Sequence, residues 1–118
     1  MSAFEVRSLE PADAAAGLEY ERRERTRHKA TLFGMFVDPG VRGRGVARAR
    51  VEAVLREARA TPQLEVVQLT VTDTNAPALR LYRACGFRAF GTEPFAVRVG
   101  DGFVAKAHMW CAVGDAAA

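Results

Sequence analysis

The residues best suited to chemistry form the run Arg42-Gly43-Arg44-Gly45-Val46-Ala47, set between an apolar strand pattern and a helical one. Glycines let the main chain turn tightly and let a ligand approach it. The first N–H groups of the helix that follows have no intrahelical partner and lie at the positive end of its dipole. A pyrophosphate would be held there by several N–H groups, with Arg42 and Arg44 adding charge. The run follows neither GxGxxG nor GxxxxGK[ST], which argues against a nucleotide triphosphatase. Read alone, it is equally a plain strand-to-helix turn.

A second group lies further on. Asn75 reads as a helix N-cap ahead of Ala76 and Pro77, and Tyr82 follows on the same helix. Glu19, Glu21 and Glu93 are possible proton acceptors, although the ordinary role of each is a solvated surface charge. His28 lies in the basic run Arg25-Thr26-Arg27-His28-Lys29 and reads as a loop histidine. Cys85 and Cys111 have no metal-ligand spacing around them and read as buried, reduced thiols.

These residues need elements to position them. Thr31–Val37 is apolar at alternate and intervening positions, as in a strand buried on both faces. Asp38-Pro39-Gly40 ends it. Val46 to Ala60 has helical spacing, with Val46, Ala49, Ala53 and Val54 as the apolar stripe and Arg48, Glu52, Arg56 and Arg59 elsewhere. Leu64–Val71 is a β-branched strand, and Ala76–Ala84 a helix stopped at Cys85-Gly86. Phe87–Val99 and Phe103–Val113 form a hairpin about Gly100-Asp101-Gly102. The first strand–helix–strand unit is expected to be a right-handed parallel crossover. Phe4–Leu9 alternates like an edge strand, whereas Glu10 to Arg25 has helix propensity interrupted by Gly17. Gly114 to Ala118 reads as a frayed tail.

Taken together, Val37-Asp38-Pro39-Gly40-Val41-Arg42-Gly43-Arg44-Gly45-Val46-Ala47 resembles the acetyl-CoA motif of the GNAT superfamily, [Q/R]-x-x-G-x-[G/A], with Arg42, Gly45 and Ala47 in its defining places. Asn75 to Phe87 resembles a second signature, N-x-x-A-x-x-L-Y-x-x-x-G-F. The resemblance covers about Lys29 to Val113. It implies an α/β (α+β) fold: a mixed, mostly antiparallel twisted sheet with a central parallel pair and flanking helices. The two parallel strands would splay, and the thioester of acetyl-CoA would lie between them. Pantetheine would pair with the backbone of Phe36 and Val37, and the pyrophosphate would meet Arg42, Gly43, Arg44, Gly45, Val46 and Ala47. Asn75 would sit beside the pantetheine arm, and Tyr82 would donate a proton to the departing thiolate. The resemblance also turns Gly17–Arg23 from helix to strand. It leaves no room before that strand for the family's usual helix pair, so sheet surface would be bared and a homodimer favoured.

The chain has 118 residues, 49% hydrophobic and 26% charged, with 17 Lys+Arg against 14 Asp+Glu. This is expected to make one domain: residues 1–28 a shortened N-terminal part, 29–113 the cofactor-binding core and hairpin, and 114–118 the tail. No apolar run reaches the roughly 18 residues of a membrane span. The N-terminus lacks a signal pattern, so a cytoplasmic protein is expected. The leading function is transfer of an acetyl group from acetyl-CoA to a primary amine on a small molecule or peptide, with no metal. One alternative is a non-catalytic acyl-CoA-binding remnant, since Thr31–Val37 offers no carboxylate. Another is a basic nucleic-acid-binding module on Arg22–Lys29.

Overall fold

A computed structural model describes residues 4–9, 14–37 and 45–117. Six strands form one sheet in the order β1-β2-β3-β4-β6-β5. They are β1 (Phe4–Leu9), β2 (Ala14–Glu21), β3 (Lys29–Val37), β4 (Val66–Thr72), β5 (Arg88–Val99) and β6 (Gly102–Ala112), with helices α1 (Val46–Arg59) and α2 (Ala76–Ala84) between. Every neighbouring pair is antiparallel except β3 and β4. The expected mixed sheet with its central parallel pair is therefore present.

Strand β2 shows why local propensity misreads the N-terminal third. Glu10–Arg25 has the composition of a helix, yet Ala14–Glu21 is a strand between β1 and β3, starting and ending earlier than the expected Gly17–Arg23. Ala16, Leu18 and Tyr20 alternate into the core, while Glu19 and Glu21 are only half-buried. That period of two serves a sheet with one covered face, and pairing on both edges overrides the intrinsic preference. Only residues 10–13 separate β1 from β2, so no helix pair intervenes between them.

Both helices contribute to a single core. Helix α1 buries Val51, Val54, Leu55 and Ala58, spaced as one helical face. The expected stripe was misplaced: of its members only Val54 is buried, Val46 and Ala53 are half-buried, and Ala49 is exposed. Val67, Leu69 and Val71 of β4 meet Cys111, Met109 and Ala107 of β6 in register, and all six face the helices. The alternate residues Gln68, Thr70, His108 and Trp110 face the other side, which no helix covers among the described residues. Phe33 is accordingly 38% exposed, so β3 is not buried on both faces as its apolar sequence suggests.

Two smaller expectations are also corrected. Cys111 is buried, but Cys85 is only half-buried; both are free thiols. The segment after β6 is tied to Glu65 as far as Ala116 rather than frayed from Gly114. Val113 N–H donates to the Glu65 carbonyl at 2.8 Å, and Ala116 N–H donates to Glu65 Oε1 at 2.7 Å. Among the described residues, no helix is long and apolar enough to cross a membrane.

Candidate active site

The parallel pair comes apart. β3 and β4 are in register only from Lys29↔Val66 to Thr31↔Gln68. Beyond that point β3 stays with β2 as far as Val37↔Ala14, and β4 stays with β6 as far as Thr72↔Lys106. The facing backbone edges of β3 and β4 thus diverge toward their C-terminal ends. Such edges present unpaired N–H and C=O groups to which an extended, amide-containing ligand could bond as a strand does. A register shift between Ala15 and Gly17 of β2 accompanies Gly34 of β3 at φ 64°, which places a bulge just before Phe36 and Val37. Bulges bend a strand and re-aim its backbone groups. The sequence reading missed this bulge; a glycine inside an apolar strand was the available signal.

Helix α1 begins at the same end of the sheet. Gly45 is its N-cap at φ 73°, ψ 10°, a conformation that L side chains adopt at a cost. No side chain caps this helix, and no acidic residue stands in its first turn. Its first intrahelical bond is Ala49 N–H to the Gly45 carbonyl, at 3.0 Å. The N–H groups of Val46, Ala47 and Arg48 precede that bond and have no backbone acceptor among the described residues, which suits them to an outside acceptor. This is the electrostatics that a diphosphate requires. Arg42, Gly43 and Arg44 lie outside the described residues.

Helix α2 also starts just past the diverging end of β4. Asn75 is its N-cap, and Oδ1 accepts the Ala78 N–H at 3.2 Å, as the sequence predicts. Tyr82 is buried on the core side of α2 at 8% exposure. Burial raises its phenol above the ordinary value, with Cys85 adding to the effect. The phenol therefore holds its proton at neutral pH. Among the described residues its hydroxyl has no hydrogen-bond partner.

The remaining sequence candidates disperse. Glu21 pairs with Lys29 at 3.9 Å, and Glu19 lies opposite Thr31 on the helix-free face. His28 is exposed in the β2–β3 turn, where its carbonyl accepts the Glu65 and Val66 N–H groups. The basic run forms that turn, at the end of β3 away from α1. Glu93, in contrast, meets a residue the sequence reading passed over: its Oε1 lies 3.1 Å from His108 Nε2. A signal existed. Counting outward from Val99↔Gly102 sets Glu93 opposite His108, and the irregularity between Glu93 and Val97 turns this into a diagonal contact. Among the described residues no group of three or more His, Cys, Asp or Glu gathers as for a metal.

Known proteins share this arrangement. Residues 11–87 match the model of the acetyltransferase (GNAT) family. The chain is 45% identical over 62 residues to mycothiol acetyltransferase of Acidothermus cellulolyticus, covering 52% of this chain and 19% of that protein. It is 33% identical over 85 residues to the L-amino acid N-acetyltransferase AaaT of Escherichia coli, covering 71% of this chain and 52% of that one. It thus spans about half or less of the curated relatives it matches. Among solved structures, yncA of Salmonella typhimurium, determined with its cofactor acetyl-CoA, superposes with a TM-score of 0.78 at 21% identity, covering 98% of this chain and 68% of that one. With the match spanning most of the chain, and with a splayed parallel pair flanked by two helix N-termini, the chain belongs to the GNAT acetyltransferase family.

Proposed function

We propose that the chain binds acetyl-CoA and transfers its acetyl group to a primary amine by direct attack. The observation that carries this reading is the divergence of β3 from β4 beside the uncapped N-terminus of α1. Bound acetyl-CoA supplies an activated thioester; everything else falls to the protein. The N–H groups of Val46 and Ala47, with Arg42, Gly43, Arg44 and Gly45, hold the pyrophosphate. The backbone of Phe36 and Val37 holds the pantetheine, and an N–H near Val37 polarises the thioester carbonyl. Asn75 flanks the pantetheine arm, and Tyr82 hydrogen-bonds the departing sulfur. The name of one relative, an L-amino acid N-acetyltransferase, points to acceptor amines of amino-acid type, and no metal takes part in this scheme.

Calorimetric titration with acetyl-CoA tests the reading, beside a Gly45→Asp variant checked for folding. Aspartate tolerates the left-handed conformation better than most residues. Its charge complements the helix dipole but repels phosphate. Saturable binding by the wild type, weakened at least tenfold in the variant, is expected. No binding by folded wild-type protein would overturn the reading.

A further inference from the structure

The amine acceptor of this reaction arrives as an ammonium ion at neutral pH, since a lysine-like amine has a pKa of about 10.4. A nucleophile must first lose that proton, yet β3 carries no carboxylate between Thr31 and Val37. From the geometry of the helix-free sheet face we infer that His108 is the group that takes the proton, and that Glu93 positions it. This rests on the reading above.

The placement is specific. Thr70 lies two residues beyond Gln68, the last residue of β4 paired with β3, and so borders the opening. His108 is the register partner of Thr70 on β6, one strand away, or roughly 5 Å. Both face the side opposite α1 and α2, which no helix covers among the described residues. The imidazole is held from two directions. Glu93 Oε1 lies 3.1 Å from Nε2, and the Phe90 ring meets the imidazole edge-to-face at 5.9 Å. A carboxylate at Nε2 fixes the tautomer with the proton on Nε2, so Nδ1 keeps its lone pair. The side chain is 35% exposed, within reach of a solvent-borne amine. The charged residues facing it are Glu93 and Arg88 on β5 and Lys106 on β6; β4 presents only Gln68, Thr70 and Thr72.

The step balances as follows. His108 Nδ1 removes one proton from R–NH3+. The freed lone pair forms the N–C bond to the acetyl carbonyl carbon, and the C–S bond breaks with its electron pair on sulfur. The nitrogen then loses a second proton to water. Sulfur gains one from Tyr82, which is replenished from solvent. The sum is an acetamide, the free thiol of coenzyme A and one released proton.

The test uses His108→Gln, Glu93→Gln and Glu93→Ala, each checked for folding and for acetyl-CoA binding by calorimetry. The wild type's calorimetry tests the acetyltransferase reading itself, independently of this one. With acetyl-CoA and a panel of L-amino acids and a tripeptide with a free amino terminus, His108→Gln is expected to lose on the order of 10²-fold in kcat and the acidic limb of the pH profile, with acetyl-CoA affinity unchanged. Glu93→Gln keeps an acceptor oxygen and retains more activity than Glu93→Ala. Nitrogen-15 NMR of the imidazoles, only two in the chain, should show neutral His108 protonated at Nε2. An Nδ1-protonated ring overturns the inference, as does an undiminished kcat in His108→Gln. So does wild-type protein that binds acetyl-CoA and acetylates nothing in the panel.

Discussion

Tyr82 and Phe87 are joined twice across the end of α2. The Phe87 N–H donates to the Tyr82 carbonyl at 2.9 Å, and their rings meet edge-to-face with centroids 5.8 Å apart. Between them Gly86 takes φ 103°, and its N–H donates to the Arg83 carbonyl at 3.1 Å. These two bonds and the accompanying apolar contact make a Schellman ending. The spacing Y-x-x-x-G-F, carried in the sequence as a family signature, is thus a physical device. It fixes the last turn of the helix that carries Tyr82. Replacing Gly86 by alanine should cost about 1–2 kcal/mol, because the backbone there disfavours any L side chain. Urea denaturation would measure it, and an unchanged midpoint would show that the turn relaxes.

The phenol can be separated from the ring. Tyr82→Phe keeps the contact with Phe87 and removes a hydroxyl with no partner among the described residues. Stability should change by less than about 0.5 kcal/mol. If the hydroxyl serves the leaving sulfur, kcat should fall on the order of 10²-fold while acetyl-CoA affinity holds. Equal activity in the two proteins would remove Tyr82 from the mechanism.

Asn75 is assigned two roles that a pair of variants can divide. Asn75→Ala deletes the cap on Ala78 N–H and should cost about 1 kcal/mol. Asn75→Asp keeps an acceptor oxygen and should leave stability nearly unchanged, but it lacks the amide donor. Weaker acetyl-CoA binding by the aspartate variant would mark contact with the ligand; unchanged affinity would leave Asn75 as a cap alone.

Alkaline solution should destabilise the fold. Burial is the first cause that raises the thiols of Cys85 and Cys111 and the phenol of Tyr82 above their ordinary values. Each is held neutral in the folded state and ionises more readily unfolded. Their contribution is complete below the unfolded values, near 9 for the thiols and 10 for the phenol, and is lost as pH rises through the folded ones. Urea midpoints should be level from about pH 7 to 9 and decline above, with a smaller decline above pH 10 in Tyr82→Phe. A midpoint that rises above pH 9 would contradict this.

Much of this was legible in the sequence because local chemistry settles it. Asn75, Pro77 and Gly86 delimit α2 to the residue, and Gly100-Asp101 marks the hairpin. β2 was not legible locally: Ala14–Glu21 is a strand only because β1 and β3 flank it. The Glu93–His108 contact was legible only in part: unbulged counting from Val99↔Gly102 sets the two opposite, but the irregularity that makes the contact diagonal is not written in the local sequence. The buried face of α1 was misassigned because alanine fits either side of a helix. Val51, Leu55 and Ala58 are chosen by the sheet they meet.

The three register pairs between β3 and β4 have a mechanical meaning. Each half of the sheet, β1–β3 and β4–β6, is a contiguous stretch of chain laced by its own antiparallel ladders, and the polypeptide passes between them once, through α1. The seam between the halves is the shortest ladder in the sheet, so a rotation there would strain the fewest ladder hydrogen bonds. A ligand lodged in the gap would act as a rivet, slowing amide exchange on both halves together, at residues it never touches.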